Sequence, residues 1–368
     1  MLRVNPQLFI DDVANTDFWK DKTGYKHNMD GSKKLKFNAI VGNPPYQVSV
    51  GKESKNYAIN VYDKFVDTAK AMSPNYISMI FESRWFTGGR GLDEFRNEML
   101  NDDRLSKIHD FVASTDCFPN VDIAGGICYI LWDKNYHGLC EFTVEHMGKS
   151  TTIMRKLNEF DVFIRRNDSL TIINKVIGKL KNSMSDCVSK QTPFGFISSF
   201  KGKSNPSEES IKLLGSHNEI TYVKRNEVSR RQEWIDKYKV IFTKASPGGG
   251  SADKNGQYLV LTSLQVLPPQ EVCTQTFLVG NTFDNSNEAI NCKKYLQTKF
   301  VRFLIAQKMT SQDLGADKFQ FVPLQDFTSS SDIDWTQSVA DIDRQLYRKY
   351  GLSDEEVAFI EKMIKPME

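Results

Sequence analysis

An apolar run that ends abruptly at two prolines constrains the fold more than any other feature of the sequence. Residues 37–42 are apolar and β-prone, and the run stops at Gly42, just before Asn43-Pro44-Pro45-Tyr46. Proline fixes φ and lacks a backbone N–H, so these two residues cannot continue a central strand. We therefore predict a buried strand that ends in a stiff loop.

The segments after this loop predict an α/β sheet. Residues 57–72 place apolar side chains at helical spacing, and residues 76–81 are predicted as a second buried strand. A strand, a helix and a strand in succession indicate neighbouring parallel strands. A helix at 92–100 and strands at 107–112 and 127–132 follow, and the glycines before the last strand favour an antiparallel pairing of the final two.

The composition changes near residue 150. A lysine-rich segment contains a predicted linking helix through Ile172, Val176 and Leu180. The second half has short apolar runs separated by turn signals, and then one long predicted helix at 287–308. The apolar face of that helix is expected to comprise Ala289, Tyr295, Phe300, Phe303 and Leu304. Ser353 and Glu356 have capping-box spacing and predict the start of a terminal helix.

Composition and spacing exclude several classes of protein. The longest apolar run, residues 123–132, is far shorter than the roughly 20 residues that span a bilayer, and no export signal begins the chain, so we expect a cytoplasmic protein. The six cysteines contain no CxxC pair and the five histidines lack ligand spacing, so neither a metal site nor a disulfide framework is predicted. The net charge of +2 leaves the choice of partner to local clusters.

The Asn-Pro-Pro-Tyr loop has the groups that would activate an exocyclic amino group. The side-chain oxygen of Asn43 and the carbonyl of Pro44 can accept hydrogen bonds from the two hydrogens of such a group. These bonds would pull the nitrogen toward tetrahedral geometry and stabilise the charge that develops on it. The Tyr46 ring could stack against a base extruded from a duplex. The alternative is a turn that only closes a strand.

Residues 41–46, Val-Gly-Asn-Pro-Pro-Tyr, resemble the catalytic motif of the gamma-class adenine-N6 DNA methyltransferases. The resemblance implies S-adenosylmethionine as cofactor, double-stranded DNA as substrate, and Asn43, Pro44, Pro45 and Tyr46 as catalytic residues. Residues 78–86 followed by residues 92–96 resemble the family's next strand, loop and helix. Phe118-Pro119 followed by residues 127–132 resembles its last catalytic motif. In relatives that motif supplies a second aromatic wall for the base, which implies Phe118 here; a core phenylalanine is the alternative.

The C-terminal half resembles the target-recognition domain of type II enzymes that join nuclease, methyltransferase and specificity functions. The residues that carry this resemblance are 299–304, 319–323 and 349–353. We therefore predict a partial Rossmann-like methyltransferase sheet in an α/β domain, followed by a mixed α/β recognition domain. The expected bounds are 1–150 for the catalytic part, 151–190 for a linker helix and 191–368 for the recognition domain.

The family's glycine-rich cofactor turn is not found ahead of Asn43. The chain is therefore expected to begin partway into the catalytic domain, with the missing motif on an upstream segment or another subunit. Asp12 is the candidate for binding the cofactor's adenine, with a surface turn as the alternative. The glycine-rich residues 87–91 lack the Gly-Lys-Ser/Thr ending of a P-loop, so a nucleoside triphosphate site is not predicted there. Arg84 and Arg90 are instead candidates for contacts with DNA phosphates, with solvent-exposed arginines as the alternative.

Residues 224–244 form the most basic segment. Seven lysines and arginines face three acidic residues there, with aromatic residues interleaved. Basic and aromatic side chains in combination suit backbone neutralisation and base contact, although a solvated face would have the same pattern. The resulting candidates for DNA binding are Lys224, Arg225, Arg230 and Arg231.

The sequence thus predicts adenine-N6 methyl transfer within a restriction-modification system. Two other possibilities stay open: a DNA-binding specificity module without activity of its own, and methylation of another amino group in RNA, protein or cytosine.

Overall fold

A computed structural model describes most of the chain after its first 36 residues. The described ranges are 37–50, 57–89, 91–123, 125–146, 148–246, 252–253, 256–309 and 311–367. The chain divides into two compact units, 1–167 and 168–368. The division falls inside the segment 151–190, for which the sequence predicts a linker. Each unit is described separately below.

The first unit is built on a six-stranded mixed sheet. Its strands, in spatial order, are β1 (Ala39–Gly42), β4 (Tyr76–Glu82), β6 (Ile127–Asp133), β5 (Leu105–Phe111), β7 (Cys140–His146) and β8 (Lys149–Arg155). β1 and β4 are parallel, as are β5 and β7, whereas the other neighbouring pairs are antiparallel. The predicted α/β sheet is confirmed, including the parallel first pair and the antiparallel pairing of β5 with β6.

One face of this sheet is covered by helices. Alternate residues of β4, among them Ile77, Met79 and Phe81, are buried because successive side chains of a strand point to opposite faces. They share a hydrophobic core with residues of α1 (Tyr62–Ala71) and α2 (Asp93–Asn101). This core supports the loops at the end of the sheet that contains Asn43.

The helix predicted over residues 57–72 is wrong in its first turn. β3 (Tyr57–Asn60) pairs in antiparallel fashion with β2 (Gln47–Val50), and α1 begins only at Tyr62. Residues 57–60 satisfy their backbone groups on a strand close in sequence, and this pairing overrides the helical spacing of their apolar side chains.

β1 is the edge strand of the described sheet. Within the described residues it pairs only with β4, and Val41 is 78% exposed. Its other edge therefore has backbone donors and acceptors available for a further strand. The strand predicted before Asn43 is therefore present, but the prediction that it is buried is wrong, because one edge of β1 has no neighbouring strand in the described sheet.

The second unit contains two small sheets and several helices. The strands are β9 (Ser210–Leu214), β10 (Ile220–Lys224), β11 (Tyr238–Thr243), β12 (Leu264–Leu267), β13 (Glu271–Cys273) and β14 (Phe277–Phe283), in the orders β10-β9-β13 and β12-β11-β14. The helices are α3 (Asn167–Ile177), α4 (Ser286–Gln297), α5 (Lys299–Lys308), α6 (Val339–Tyr350) and α7 (Asp354–Met363). Among the described residues, no helix is long and apolar enough to cross a membrane.

The single helix predicted at 287–308 is two helices. Thr298 ends α4 and caps α5: its backbone is extended, and its side-chain oxygen accepts a hydrogen bond from the N–H of Val301. Threonine is a preferred N-cap, and its extended backbone ends one helix and starts the next, although the apolar residues on both sides keep helical spacing. The apolar face is confirmed, because Ala289, Tyr295 and the three predicted α5 residues are fully buried. The predicted capping box of Ser353 and Glu356 is also confirmed at the start of α7.

Candidate active site

The candidate site lies at one end of the six-stranded sheet. β1 and β4 run in the same direction, and β5 shares that direction because both β4 and β5 are antiparallel to β6. The Asn-Pro-Pro-Tyr loop after β1, the short helical turn 83–86 after β4 and the segment 112–126 after β5 therefore meet at the same end. Ligands of open α/β sheets bind at the carboxyl ends of strands.

The loop is anchored at its second and last residues. Asn43 and Pro45 are exposed, whereas Pro44 is buried and Tyr46 is half-buried. The carbonyl of Tyr46 accepts a hydrogen bond of 3.1 Å from the N–H of Val61, which directly precedes α1. The loop therefore presents Asn43 to solvent while both prolines restrict its backbone.

The hydroxyl of Tyr46 is buried, and no protein group in the described residues bonds to it. The ring packs against the core of the first unit. Burial raises the pKa of Tyr46 to about 12, with further increases from Cys117, Cys128 and Glu82. The phenol consequently stays protonated at neutral pH, so Tyr46 is suited to contribute its ring rather than a base.

A buried carboxylate lies beside Tyr46. Glu82, the last residue of β4, is only 6% exposed, and the side-chain amide of Gln47 donates to its two oxygens at 3.2 and 3.3 Å. Tyr62, at the start of α1, is fully buried, and its hydroxyl likewise bonds to no protein group that the structure describes. Burial raises the pKa of Tyr62 well above its usual value, with Glu82 the next largest cause.

A second buried carboxylate fixes the ends of β4 and β5. Asp110 is fully buried and accepts a 2.6 Å hydrogen bond from the Ser83 hydroxyl and bonds of 2.5 and 2.8 Å from the Arg165 guanidinium. Gly126 packs so closely that an added Cβ would lie 2.2 Å from the carbonyl oxygen of Phe111. This end of the sheet is therefore rigid, as a loop that holds a reacting group must be.

The candidate aromatic wall Phe118 is half-exposed in the segment after β5. Its N–H donates to the carbonyl of Ser114 at 2.7 Å, and the buried Ser114 hydroxyl donates to the carbonyl of Val121 at 2.8 Å. Tyr46 follows β1 and Phe118 follows β5, which run in the same direction, so both residues belong to the same end of the sheet. A role for Phe118 in stacking stays a prediction.

The other candidates in the first unit differ in what the structure describes. Arg84 is half-buried in the turn after β4 and lowers the pKa of Tyr62, so it also lies at this end of the sheet. Asp12 and Arg90 lie outside the described residues. Over the described ranges, no three His, Cys, Asp or Glu side chains are grouped to hold a metal ion.

The basic segment of the second unit has fewer available charges than its composition indicates. Arg225 forms a two-pronged ion pair with Asp236, and Lys237 and Lys244 pair with Asp284 and Asp313. Lys239 is fully buried, with its amine hydrogen-bonded to the carbonyls of Ile235 and Pro268.

The other three positive side chains of the segment lie at its surface. Lys224 and Arg230 are exposed, and Arg231 is half-exposed. The guanidinium of Arg231 lies over the Trp234 ring, 4.6 Å from the centroid, and donates to the carbonyl of Pro193. Contact of these residues with DNA stays a prediction.

Sequence reasoning missed Glu82, Tyr62 and Asp110. A polar residue directly after a predicted buried strand is the signal that could have indicated Glu82, since strand ends carry functional groups in such sheets. Tyr62 and Asp110 gave no comparable signal, because their neighbours come from distant parts of the sequence.

Comparison with known proteins places the Asn-Pro-Pro-Tyr loop inside a region that is similar to methylases. Residues 6–118 match the family described as Eco57I restriction-modification methylase. The chain is also 35% identical over 147 residues to an uncharacterized adenine-specific methylase of Mycoplasma pneumoniae, an alignment that covers 39% of this chain and 35% of the relative. The predicted resemblance to adenine methyltransferases of restriction-modification systems is therefore confirmed for this part of the chain. The chain spans about a third of the length of the curated relative that it matches.

Similar solved structures extend over more of the chain. The type IIG restriction endonuclease BpuSI aligns with 88% of this chain and 52% of its own, at 12% identity and a TM-score of 0.41. The type IIL restriction-modification enzyme MmeI in complex with DNA aligns with 88% of this chain and 56% of its own, at 9% identity and a TM-score of 0.38.

Proposed function

We propose that this chain takes part in site-specific methylation of adenine N6 in double-stranded DNA, with S-adenosylmethionine as methyl donor, in a restriction-modification system. The observation that carries the proposal is the position of Asn43-Pro44-Pro45-Tyr46. The loop follows a strand of a mixed α/β sheet, at the carboxyl end, inside the residues that match a methylase family.

The loop would act as a pair of acceptors toward the amino group. The lone pair of adenine N6 is delocalised into the ring, so the nitrogen is a poor nucleophile. Hydrogen bonds from its two hydrogens to the Asn43 side-chain oxygen and the Pro44 carbonyl favour the tetrahedral nitrogen and stabilise its developing positive charge. The prolines hold the acceptors in place before the base arrives, and the Tyr46 ring stacks on the extruded base.

The described residues fit the amino group better than they fit the methyl donor. S-adenosylmethionine supplies an electrophilic methyl group when bound, and its methionine and ribose parts need a cradle of backbone donors and a carboxylate. Gly88 and Gly89 after β4 do not offer such a cradle, since the N–H of Gly88 is bonded at 3.1 Å to the carbonyl of Trp85 and the N–H of Gly89 at 2.7 Å to the Asp93 side chain of α2. Asp12, the sequence candidate, lies outside the described residues.

We further propose that another polypeptide segment, in this protein or in a partner subunit, completes the methyl-donor site beside β1. Two observations support this: the open edge of β1 in the described sheet, and the match to only about a third of the relative's length. If so, calorimetric titration of the isolated chain with S-adenosylmethionine gives weak or no binding. Micromolar binding by the isolated chain would contradict this part of the proposal.

The proposed recognition of DNA by the second unit rests on its exposed cations. Lys224, Arg230 and Arg231 form no ion pair with a carboxylate within the described part of the chain, and the Trp234 ring lies beneath Arg231. Such groups neutralise phosphates and add stacking surface. Electrophoretic titration with duplex DNA over a range of salt concentrations tests this role.

A DNA-binding specificity module without activity is the second candidate function. The incomplete methyl-donor site among the described residues favours it. Incubating the chain, alone and with its neighbouring gene products, with duplex DNA and labelled S-adenosylmethionine separates the two. Label in N6-methyladenine after digestion to nucleosides supports methyl transfer; DNA binding without label in any mixture supports the specificity module, and label in another nucleoside changes the substrate.

A further inference from the structure

Three buried polar groups lie together behind the Asn-Pro-Pro-Tyr loop and have too few protein partners. The hydroxyls of Tyr46 and Tyr62 are buried, and no described protein group bonds to either. The Glu82 carboxylate is 6% exposed and accepts from the Gln47 amide. A carboxylate has about four acceptor positions, so Glu82 can accept more hydrogen bonds than this amide supplies.

Independent contacts place these groups around the same point. Tyr46 and Tyr62 pack in the same hydrophobic core, and the carbonyl of Tyr46 accepts a 3.1 Å hydrogen bond from the N–H of Val61, the residue before Tyr62. Gln47, which holds Glu82, directly follows Tyr46 in the chain. Glu82 is also among the groups that raise the pKa of both tyrosines, which agrees with this placement.

The three groups complement each other chemically. Each phenol has an O–H to donate, and the carboxylate has acceptor positions left over. Leaving such groups buried without hydrogen bonds costs about 1–3 kcal/mol each. A bridging water needs two to four polar partners, which this cluster provides.

We propose that Glu82 is a positioning residue: its carboxylate accepts hydrogen bonds from the hydroxyls of Tyr46 and Tyr62 through bridging water, and this network fixes the Tyr46 ring. The catalytic part of this inference rests on the proposed methyl transfer. Glu82 then holds Tyr46 from two sides, through Gln47 next to its backbone and through water at its hydroxyl. A fixed ring presents one face to the extruded base, and orientation of that kind is worth much of a rate enhancement.

A thermal double-mutant cycle tests the network without relying on activity. In the full chain, Tyr62→Phe lowers the Tm of the first unit by about 2–4 °C if the hydroxyl is bonded. In the Glu82→Met background, which lacks the acceptors but keeps a side chain of similar length, Tyr62→Phe no longer lowers Tm and leaves it unchanged or raised, because the buried hydroxyl has then lost its acceptor. Tyr76→Phe, at a tyrosine that is 42% exposed, is the matched control and leaves Tm unchanged.

Two thermal results would overturn the network. An unchanged or raised Tm for Tyr62→Phe means that its hydroxyl has no bond to lose. Equal effects of Tyr62→Phe in the parent and in Glu82→Met mean that the hydroxyl is bonded elsewhere. Because the Tyr62→Phe result stands alone, the test survives if Glu82→Met fails to fold.

A kinetic cycle tests the positioning role in the reconstituted, active enzyme. Glu82→Met lowers kcat by about 3- to 10-fold while KM for S-adenosylmethionine changes less than about twofold. Tyr46→Phe alone lowers kcat by a similar factor, and in that background Glu82→Met has a smaller effect than in the parent, because only the contact through Gln47 remains to be lost. A full effect of Glu82→Met in that background overturns the positioning role. If the parent enzyme transfers no methyl group, the proposed function fails, and the thermal cycle still decides whether the network exists.

Discussion

Replacing Lys239 with methionine should stabilise the second unit at neutral pH. The amine is fully buried on β11 with bonds of 3.3 and 2.9 Å to the carbonyls of Ile235 and Pro268. Burial lowers the pKa of Lys239 from 10.5 to about 8. A lowered lysine pKa means that the folded state disfavours the charged form, so the ammonium reduces stability wherever the folded protein still carries it.

The pH dependence follows from the two pKa values. Below about pH 8 the amine is charged in both states, and the full penalty is present; 2.5 pKa units correspond to about 3 kcal/mol. Between pH 8 and 10.5 the unfolded chain binds the proton and the folded protein does not, so stability rises with pH. The penalty should therefore shrink by about 1 kcal/mol between pH 7 and pH 9.

The assay compares Lys239→Met with the parent in urea at both pH values. Pulse-labelling hydrogen exchange of peptides that cover β11 reports the stability of the second unit separately. We expect the variant's advantage to be smaller at pH 9 than at pH 7 by about 1 kcal/mol. Lys190→Met, at an exposed lysine, is the control and should show no such difference. An advantage that stays constant or grows with pH would refute the reasoning.

Three further changes test other parts of the structure. Tyr46→Phe should retain much more methyl transfer than Tyr46→Ala, since stacking is worth roughly 1–3 kcal/mol per base; equal losses in kcat would contradict a role for the ring. Asp110→Asn should destabilise the first unit by about 1–3 kcal/mol in urea unfolding, because the fully buried side chain loses the charge that strengthens its hydrogen bonds with Ser83 and Arg165; a change below about 0.5 kcal/mol would contradict this. Arg230→Gln and Arg231→Gln should each weaken DNA binding and reduce its salt dependence, whereas Lys239→Met should not. If all three variants bind DNA as tightly as the parent, this segment does not contact DNA.

Local signals in the sequence predict the catalytic end of the sheet well. The apolar run before Asn43 and the two prolines after it require no distant partner to be recognised, and β1 and the loop are found there. The burial predicted for β1 is not found, because burial depends on neighbouring strands that the run itself does not specify. The start of α1 was less predictable, because residues 57–60 become a strand only through pairing with β2. Thr298 lies between two segments that both have helical spacing, so the sequence predicts one continuous helix. The extended backbone of Thr298, which separates α4 from α5, is visible only in the structure.

The burial and the pairing of charged side chains could not be predicted from the sequence. Lys239 lies in a basic stretch and resembles its neighbours until the fold buries it. Asp110 and Arg165 are 55 residues apart in sequence, and their ion pair depends on how the chain returns to the sheet. Glu82 meets Gln47 only because β1 and β4 are adjacent. Pairings of this kind follow from topology rather than from composition or periodicity.

The central claim is that Asn43 accepts a hydrogen bond from the amino group that is methylated. Its most direct test is the rate of N6-methyladenine formation in duplex DNA by the reconstituted enzyme, for the parent and for Asn43→Ala. We expect Asn43→Ala to lower kcat by about 10²- to 10³-fold, as loss of one such acceptor does, with thermal stability and DNA affinity nearly unchanged because the side chain is exposed. Activity of the variant within about tenfold of the parent would contradict the claim.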